Sequence, residues 1–314
     1  MEKLLQTPTI TKAAIMPDAC PTGMLGQIPV GAVVVTEDAI HPGMHSADIC
    51  CSLMSTDFGD VDPAVVMDKA METTHFGPGG RLVNTSFSKF LPNWLAVEIR
   101  DNVFFDEKSL TLAKSNMGTQ GDGNHFLFVG RSKKTGNVHL VTHHGSRGFG
   151  ARLYKKGMDK AKKYTKELSP ETQPINSWLS YKEQSGQDYW QALQIVRAWT
   201  KFNHESIHNT ILGKVKVSGE GRMWNEHNFV FASGNEFYHA KGATPLDNSF
   251  VPDSFNGLRL VPLNMAEPIL IIKGETSDTN LGFAPHGAGR NISRTQHRKE
   301  KENESIQQIL AEET

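Results

Sequence analysis

Apolar positions along the chain fall into short β-branched runs and longer stretches of helical spacing, separated by turns rich in Gly, Ser and Asn. The run VGAVVV, Val30 to Val35, lies between Pro29 and the polar Thr36 to Asp38, which predicts a strand and with it an N-terminal sheet. Asp62 before Pro63 is an N-cap followed by proline in the first turn, predicting a helix from Pro63 to about Met71. Gly77 to Leu91 reads as loop and Phe104 to Lys114 as a short helix. FLFV after Asn124-His125 marks the start of a strand, and VHLVT, Val138 to Thr142, marks another. A helix is expected from Phe149 to Leu168, and a longer one from about Asp188 to Leu212, where Trp190, Leu193, Val196, Trp199 and Phe202 recur at helical spacing. The segment around Glu226 reads as loop. NFVFA and EFYHAKG around Ser233-Gly234-Asn235 read as a hairpin, LRLVPL and EPILIIKG as two more strands, and the final IQQILAEET as an exposed helix. No repeat or low-complexity linker interrupts this order. It predicts one α+β domain over residues 1–314, a β-sheet core with surrounding helices.

Composition narrows the class without naming a function. The chain has 314 residues and a formal net charge of −1, with 21% charged and 38% hydrophobic residues, so any nucleic-acid contact must be local. No apolar run approaches the roughly eighteen residues of a membrane span, and MEKLLQTPTI lacks a signal-peptide core; a cytoplasmic protein with no membrane partner is expected. Cys20, Cys50 and Cys51 do not make a disulfide framework, and the adjacent pair suits a metal or thiol role. The most basic stretch is Phe149 to Leu168, with Lys155, Lys156, Lys160, Lys162, Lys163 and Lys166, which reads as a solvated helix face or a nucleic-acid contact.

Thirteen histidines are many for such a chain, and several stand in glycine-rich stretches. In PHGAGR, His286 sits between Pro285 and Gly287, with Ala288, Gly289 and Arg290 following; a neutral imidazole there is a possible nucleophile or base, and the guanidinium suits phosphate oxygens. GDGNHF places Asn124, His125 and Phe126 behind glycines that let a nucleotide approach the backbone. HHGSRG gathers His143, His144 and Arg147 at a strand end, an arrangement open to anion or metal binding. Asp48 and Cys51 lie three apart, a spacing that can bring a carboxylate and a thiolate to one metal, although a strand with a buried cysteine explains it as well. A rival sits on the long helix: His204, Glu205 and His208 spell HESIH, a literal zinc-peptidase signature. Glu226 is its nearest candidate third ligand, and no glycine and third histidine follow at metzincin spacing.

Taken in order, these stretches make the chain resemble the RtcB family of RNA ligases, from MPDA at Met16 to NISR at Arg294. ADICCSL is similar to the family's D-I-G-C-G-M, GDGNHF to G-G-G-N-H-F, HHGSRG to H-S-G-S-R-G, IHN at Ile207 to Asn209 to H-H-N, YHAKGAT to H-R-K-G-A-T, and PHGAGR matches outright. The resemblance implies an RtcB-like fold and the sealing of RNA 3′-phosphate or 2′,3′-cyclic-phosphate ends to 5′-hydroxyl ends, in RNA repair or tRNA splicing. It implies two manganese ions bridged by Cys51, one also held by Asp48 and His125, the other by His143 and His208. It further implies that His286 takes the α-phosphate of GTP as a covalent guanylyl-histidine, with Asn124, Phe126, Asn209, Pro285, Gly287, Ala288 and Gly289 around the nucleotide and Arg147 and Arg290 on phosphate or RNA. Thiolate and imidazole donors alone would favour zinc; manganese comes from the resemblance only.

The chain departs from the family at several of these places. Cys20 stands where MPD-x-H has histidine, Cys50 and Ser52 flank the metal cysteine in place of glycines, Ala240 replaces an arginine, and Phe128 takes the position of an acid that pairs with the guanine edge. The family's C-terminal lysine, which contacts the base, would lie past residue 314. A divergent branch is the reading that follows; a zinc peptidase on HESIH and a non-catalytic RNA-binding relative are its alternatives.

Overall fold

A computed structural model describes residues 1–81, 86–251, 254–263, 267–289, 296, 299–305 and 308. Arg290, Arg294 and most of the C-terminal IQQILAEET lie outside the described residues.

Two four-stranded sheets carry the α+β architecture. In chain order their strands are β1 (Ile10–Cys20), β2 (Val30–Glu37), β3 (Ser52–Asp57), β4 (Phe126–Arg131), β5 (Val138–His144), β6 (Glu220–Glu226), β7 (Asn228–Ser233) and β8 (Glu236–Lys241). The first sheet runs β1-β2-β8-β7 and the second β6-β3-β5-β4, with every pairing antiparallel. Three shorter elements complete the part that matters for the site: β9 (Ala243–Pro245), and the pair β10 (Arg259–Pro262) and β11 (Ile269–Ile272). A last strand, β12 (Phe283–Pro285), pairs with β9 so that Pro285 lies opposite Ala243.

The unbroken apolar run in β2 follows from burial on both faces. Val33 and Val35 point into the main core, whereas Ala32 and Val34 pack with Leu4, Ile28 and Met44 on the other side. Among the described residues, five helices of nine residues or more flank the sheets: α1 (Pro63–Thr73), α2 (Asn93–Asp101), α3 (Glu107–Ser115), α4 (Arg147–Leu168) and α5 (Gln184–Val215). α1 starts as expected, with Asp62 accepting from the Ala64 amide ahead of Pro63. The 32-residue α5 ties the two sheets together: Leu193, Val196 and Trp199 belong to the core with Val33, Phe229 and Phe237, while Ile207, Ile211 and Leu212 pack on Val138 and Leu140 of β5.

The segment around Glu226 is a strand, not the expected loop. GRMWNE offers only Met223 and Trp224 as apolar residues, adjacent instead of alternating, so period-2 patterning is absent although β6 pairs with β3 along its length. Ser86–Phe90 forms a 3-10 turn inside the stretch expected to be loop.

Candidate active site

Backbone hydrogen bonds lay four distant segments side by side. The Cys50 amide donates to Asn228 O at 2.6 Å, the His227 amide to Cys51 O at 2.9 Å, and the Ala243 amide to His227 O at 3.0 Å. Since Ala243 faces Pro285 across the β9–β12 pair, Cys51, His227, Ala243 and Pro285 follow one another laterally, and His286 comes next after that row. From the other side, β5 brings His143 opposite Leu53 of β3 and opposite Phe126 of β4.

Side chains converge on Cys51. Its Sγ lies 3.2 Å from His143 Nε2 and 3.6 Å from His125 Nε2, and His125 Nε2 lies 2.9 Å from Asp48 Oδ2. His143 Nε2 in turn is 3.3 Å from His227 Nε2. Two donor groups result, each within 4.8 Å and both containing Cys51: Asp48, Cys51 and His125, and Cys51, His143 and His227. Burial pushes the Cys51 thiol well up, reinforced by the Asp48 carboxylate, and lowers His143 to about 3 and His227 well below the usual imidazole range. Burial is the largest influence on Asp48 and opposes its ionisation, but the hydrogen bond and charge of His125, with smaller contributions from Cys51 and His143, together outweigh it and hold that carboxyl below its usual range. Two imidazoles kept neutral by burial, a third imidazole, a carboxylate and a sulfur crowded together form a donor set that fits divalent cations, with thiolate formation favoured once a cation is present. The Nδ1 atoms of His125, His143 and His227 are buried without hydrogen-bond partners, so their Nε2 atoms alone are engaged in the cluster.

Two glycines make this approach possible. A Cβ on Gly145 would fall on Asp48 Oδ1, and one on Gly121, whose φ is +92°, would fall on Arg147 Nη1. Arg147, half-buried, donates from Nη2 to Gly77 O at 3.2 Å and from Nε to Thr119 Oγ1 at 3.4 Å.

His286 adjoins the cluster, its ring centroid 5.1 Å from that of His227. Its Nδ1 lies 2.7 Å from Oδ2 of Asp18, a carboxylate on β1 whose side chain is 2% exposed and whose Oδ1 has no partner. A buried carboxylate on Nδ1 fixes the tautomer with the proton there and leaves the Nε2 lone pair available. Asp18 is a functional candidate that motif reading passed over.

A family model described as tRNA-splicing ligase RtcB matches residues 95–314. The chain belongs to the RtcB family. Among curated RtcB proteins, it is 27% identical over 206 residues to the RNA-splicing ligase RtcB2 of Escherichia coli, covering 58% of this chain and 47% of that protein. It is 24% identical over 320 residues to an Escherichia coli RNA-splicing ligase RtcB, covering 91% and 75%, and 23% identical over 253 residues to the tRNA-splicing ligase RtcB of Methanocaldococcus jannaschii, covering 68% and 26%. The matched part is about half the length, or less, of several of these RtcB relatives.

Most of the residues drawn from the RtcB resemblance meet at this site: Asp48, Cys51, His125, His143 and His286, with Phe126 placing its ring 5.1 Å from that of His143 and Pro285 leading into Gly287, Ala288 and Gly289. Asn124 is exposed on the loop before β4. Arg290 lies outside the described residues.

His208 and Asn209 are not brought there, which corrects the reading of Ile207-His208-Asn209 as H-H-N; His227-Asn228 occupies the place instead. His208 is fully buried, with Nδ1 2.8 Å from Thr56 Oγ1 and Nε2 2.8 Å from Thr142 Oγ1, and Asn209 accepts from Arg222 Nη2 at 2.7 Å. Asn228 Oδ1 accepts from the Gly242 amide at 2.7 Å, which keeps β7 against the turn into β9. The same geometry removes the peptidase reading. His204 Nδ1 lies 2.7 Å from Thr142 Oγ1 and its Nε2 3.0 Å from Ser52 Oγ, so both HESIH imidazoles are hydrogen-bonded at both nitrogens. Glu226 lies elsewhere, buried against Arg197. No metal-ligand group among the described residues includes His204 or His208.

These bonds have one consistent direction. Ser52 Oγ spends its one proton on His144 O and so accepts from His204 Nε2; His204 Nδ1 then accepts from Thr142, Thr142 from His208 Nε2, and His208 Nδ1 from Thr56, which itself accepts from Arg222 Nε. Burial lowers both pKa values well below the usual range, as neutral rings in such a chain require.

Proposed function

We propose that this chain is an RNA ligase that joins 3′-phosphate or 2′,3′-cyclic-phosphate ends of RNA to 5′-hydroxyl ends, using GTP and two manganese ions, in RNA repair or tRNA splicing in the cytoplasm. The observation that carries the reading is continuity: Cys51 Sγ, His143 Nε2 and His227 Nε2 follow at 3.2 and 3.3 Å, and the His286 ring lies next, tilted against that of His227 with centroids 5.1 Å apart. One ion would be held by Asp48, Cys51 and His125, and the other by Cys51, His143 and His227, with His227 in the role first expected of His208. When bound, such ions supply positive charge against the phosphoryl oxygens.

The remaining chemistry belongs to the protein. Asp18 holds the Nδ1 proton of His286 and is placed to stabilise the positive charge the ring gains on attack at the α-phosphorus of GTP, which releases pyrophosphate and leaves guanylyl-histidine. Phe126 and the Pro285 to Gly289 backbone lie where a nucleotide would be held beside that nitrogen. Transfer of guanylate to the RNA 3′-phosphate makes GMP the leaving group when the 5′-hydroxyl oxygen attacks. Arg147, close enough to Asp48 and Asp122 to feel both charges, would meet an RNA phosphate.

The test is incubation with α-labelled GTP and manganese. Label stable on the protein in alkali, lost in acid and absent from His286→Ala is expected. A wild-type chain that takes no label sinks the reading.

A further inference from the structure

A groove of about 500 Å³ lies between the 3-10 turn Ser86–Phe90, α2 and the end of α3, away from the residues assigned above. Lys89, Arg100 and Lys114 line it, and among the described residues none that lines it is acidic, although the whole chain carries 34 acids against 33 Lys and Arg. Each of the three cations stands in the last turn of its own helix or 3-10 turn. That position offsets a helix dipole, but it does not require three such cations to share one groove. Among the described residues none of the three has a carboxylate partner. Arg152 and Lys156 on α4, by contrast, both pair with Asp106. Glu98 and Asp101, the acids of α2, do not line the groove.

Large rings stand beside these charges. Trp94 is 52% exposed and Phe90 47%, yet both are propped: Trp94 meets Phe202 edge-on at 5.9 Å, and Phe90 lies 5.4 Å from Phe87. Val97, 49% exposed, extends the apolar strip along α2. Propped, solvent-facing aromatic rings next to unpaired cations suit a polyanion that also carries flat bases. Phosphates meet the cations and unstacked bases lie on the rings.

We propose that this groove binds an unpaired stretch of RNA, as a second contact separate from the joining site. The inference rests on the RNA-ligase reading for the identity of the polyanion, and it is tested apart from it. The probe is a fluorescent single-stranded RNA oligonucleotide with hydroxyls at both ends, so that no joining chemistry is available, followed by anisotropy over a range of salt concentrations. Replacing Lys89, Arg100 and Lys114 together by alanine is expected to weaken binding at least tenfold and to reduce the salt slope by about 2, at ~0.7 per phosphate on a single strand. Trp94→Ala is expected to weaken it about tenfold, and Trp94→Phe to restore much of the loss. Removing the same charge from α4, with Lys160, Lys162 and Lys163 replaced by alanine, should cost less than threefold, and a duplex should compete poorly.

Unchanged affinity in the groove variants overturns the proposal, as does an equal loss in the α4 variant, which would reveal general attraction by positive charge. Loss of self-association in Trp94→Ala with RNA binding intact would assign the strip to a protein contact and overturn it too. Guanylylation without RNA should be unaltered in the groove variants; its absence from the wild-type chain would count against the ligase reading alone.

Discussion

Thr142→Val removes one hydroxyl and is otherwise nearly isosteric, so its cost isolates the buried hydrogen-bonded chain. Thr142 Oγ1 serves two imidazoles, at 2.7 Å from His204 Nδ1 and 2.8 Å from His208 Nε2, and all three residues are fully buried. Valine leaves a buried N–H on His208 and a buried lone pair on His204 without partners, each costing about 1–3 kcal/mol, so the variant should lose about 2–6 kcal/mol. With roughly 2.1 cal/mol/K of unfolding entropy per residue, 314 residues convert each kcal/mol into about 1.5 °C of Tm, a drop of about 3–9 °C. Thr111→Val is the control: its hydroxyl caps Glu107 O on an exposed face, and the change should stay within about 0.5 kcal/mol. Urea unfolding of the metal-free chain measures both. A Thr142→Val midpoint indistinguishable from that of Thr111→Val would refute the assignment of donors along the chain. It would also reopen the possibility that His204 and His208 have nitrogens to spare for a metal.

Acid should destabilise the fold before the carboxylates titrate. Burial lowers His41 to about 3 and His45 to about 4 from 6.5, so between these values the unfolded chain binds protons that the folded chain does not; stability is full above pH 6.5 and falls below it, by about 4 kcal/mol for the two together at pH 5. A urea midpoint unchanged between pH 7 and pH 5 contradicts their neutral burial. Gly145→Ala must displace Asp48, and calorimetric titration with manganese should show affinity lower by about 10–100-fold with Tm little changed. Equal affinity would mean that Asp48 is not a ligand. Asp18→Asn should slow guanylylation of His286 by about 10²–10⁴-fold through loss of the carboxylate on Nδ1, while retaining the fold; a rate within threefold of wild type would remove Asp18 from the mechanism.

The parts of the fold visible in sequence are those whose packing partner is apolar on a regular period. Val30–Glu37 and the Asn228–Ser233, Glu236–Lys241 hairpin are β-branched or aromatic runs ending at clear turns, and α1 carries its own cap in Asp62 and Pro63. β1 had no such signature. ITKAAIMPDAC has an irregular burial pattern, sits at the sheet edge, and slips in register between Ile15 and Cys20, so neither alternation nor a buried run marks it. α2 begins at Pro92 without a side-chain cap, and its exposed Trp94 and Val97 blur the helical stripe.

The site divides in the same way. His125 and His143 were legible because each stands in a glycine-rich stretch at the start or end of a strand, where a side chain can leave the sheet and meet others, and Cys51 because it lies three residues after Asp48 just ahead of a strand. His208 was misread because helical spacing shows which residues share a face, but not what that face meets. Here it meets Thr56 and Thr142, whose hydroxyls occupy both ring nitrogens, whereas His227 follows directly on a strand and keeps Nε2 beside His143. Asp18 was out of reach for a different reason, since 268 residues separate it from His286 and the bond forms only because β1 and β12 are brought together. A histidine's chemistry in this chain is therefore decided by competition for its nitrogens. Spacing can assemble HESIH, but only the neighbouring hydroxyls determine that those two rings are structural and that the free imidazole edge belongs to His227.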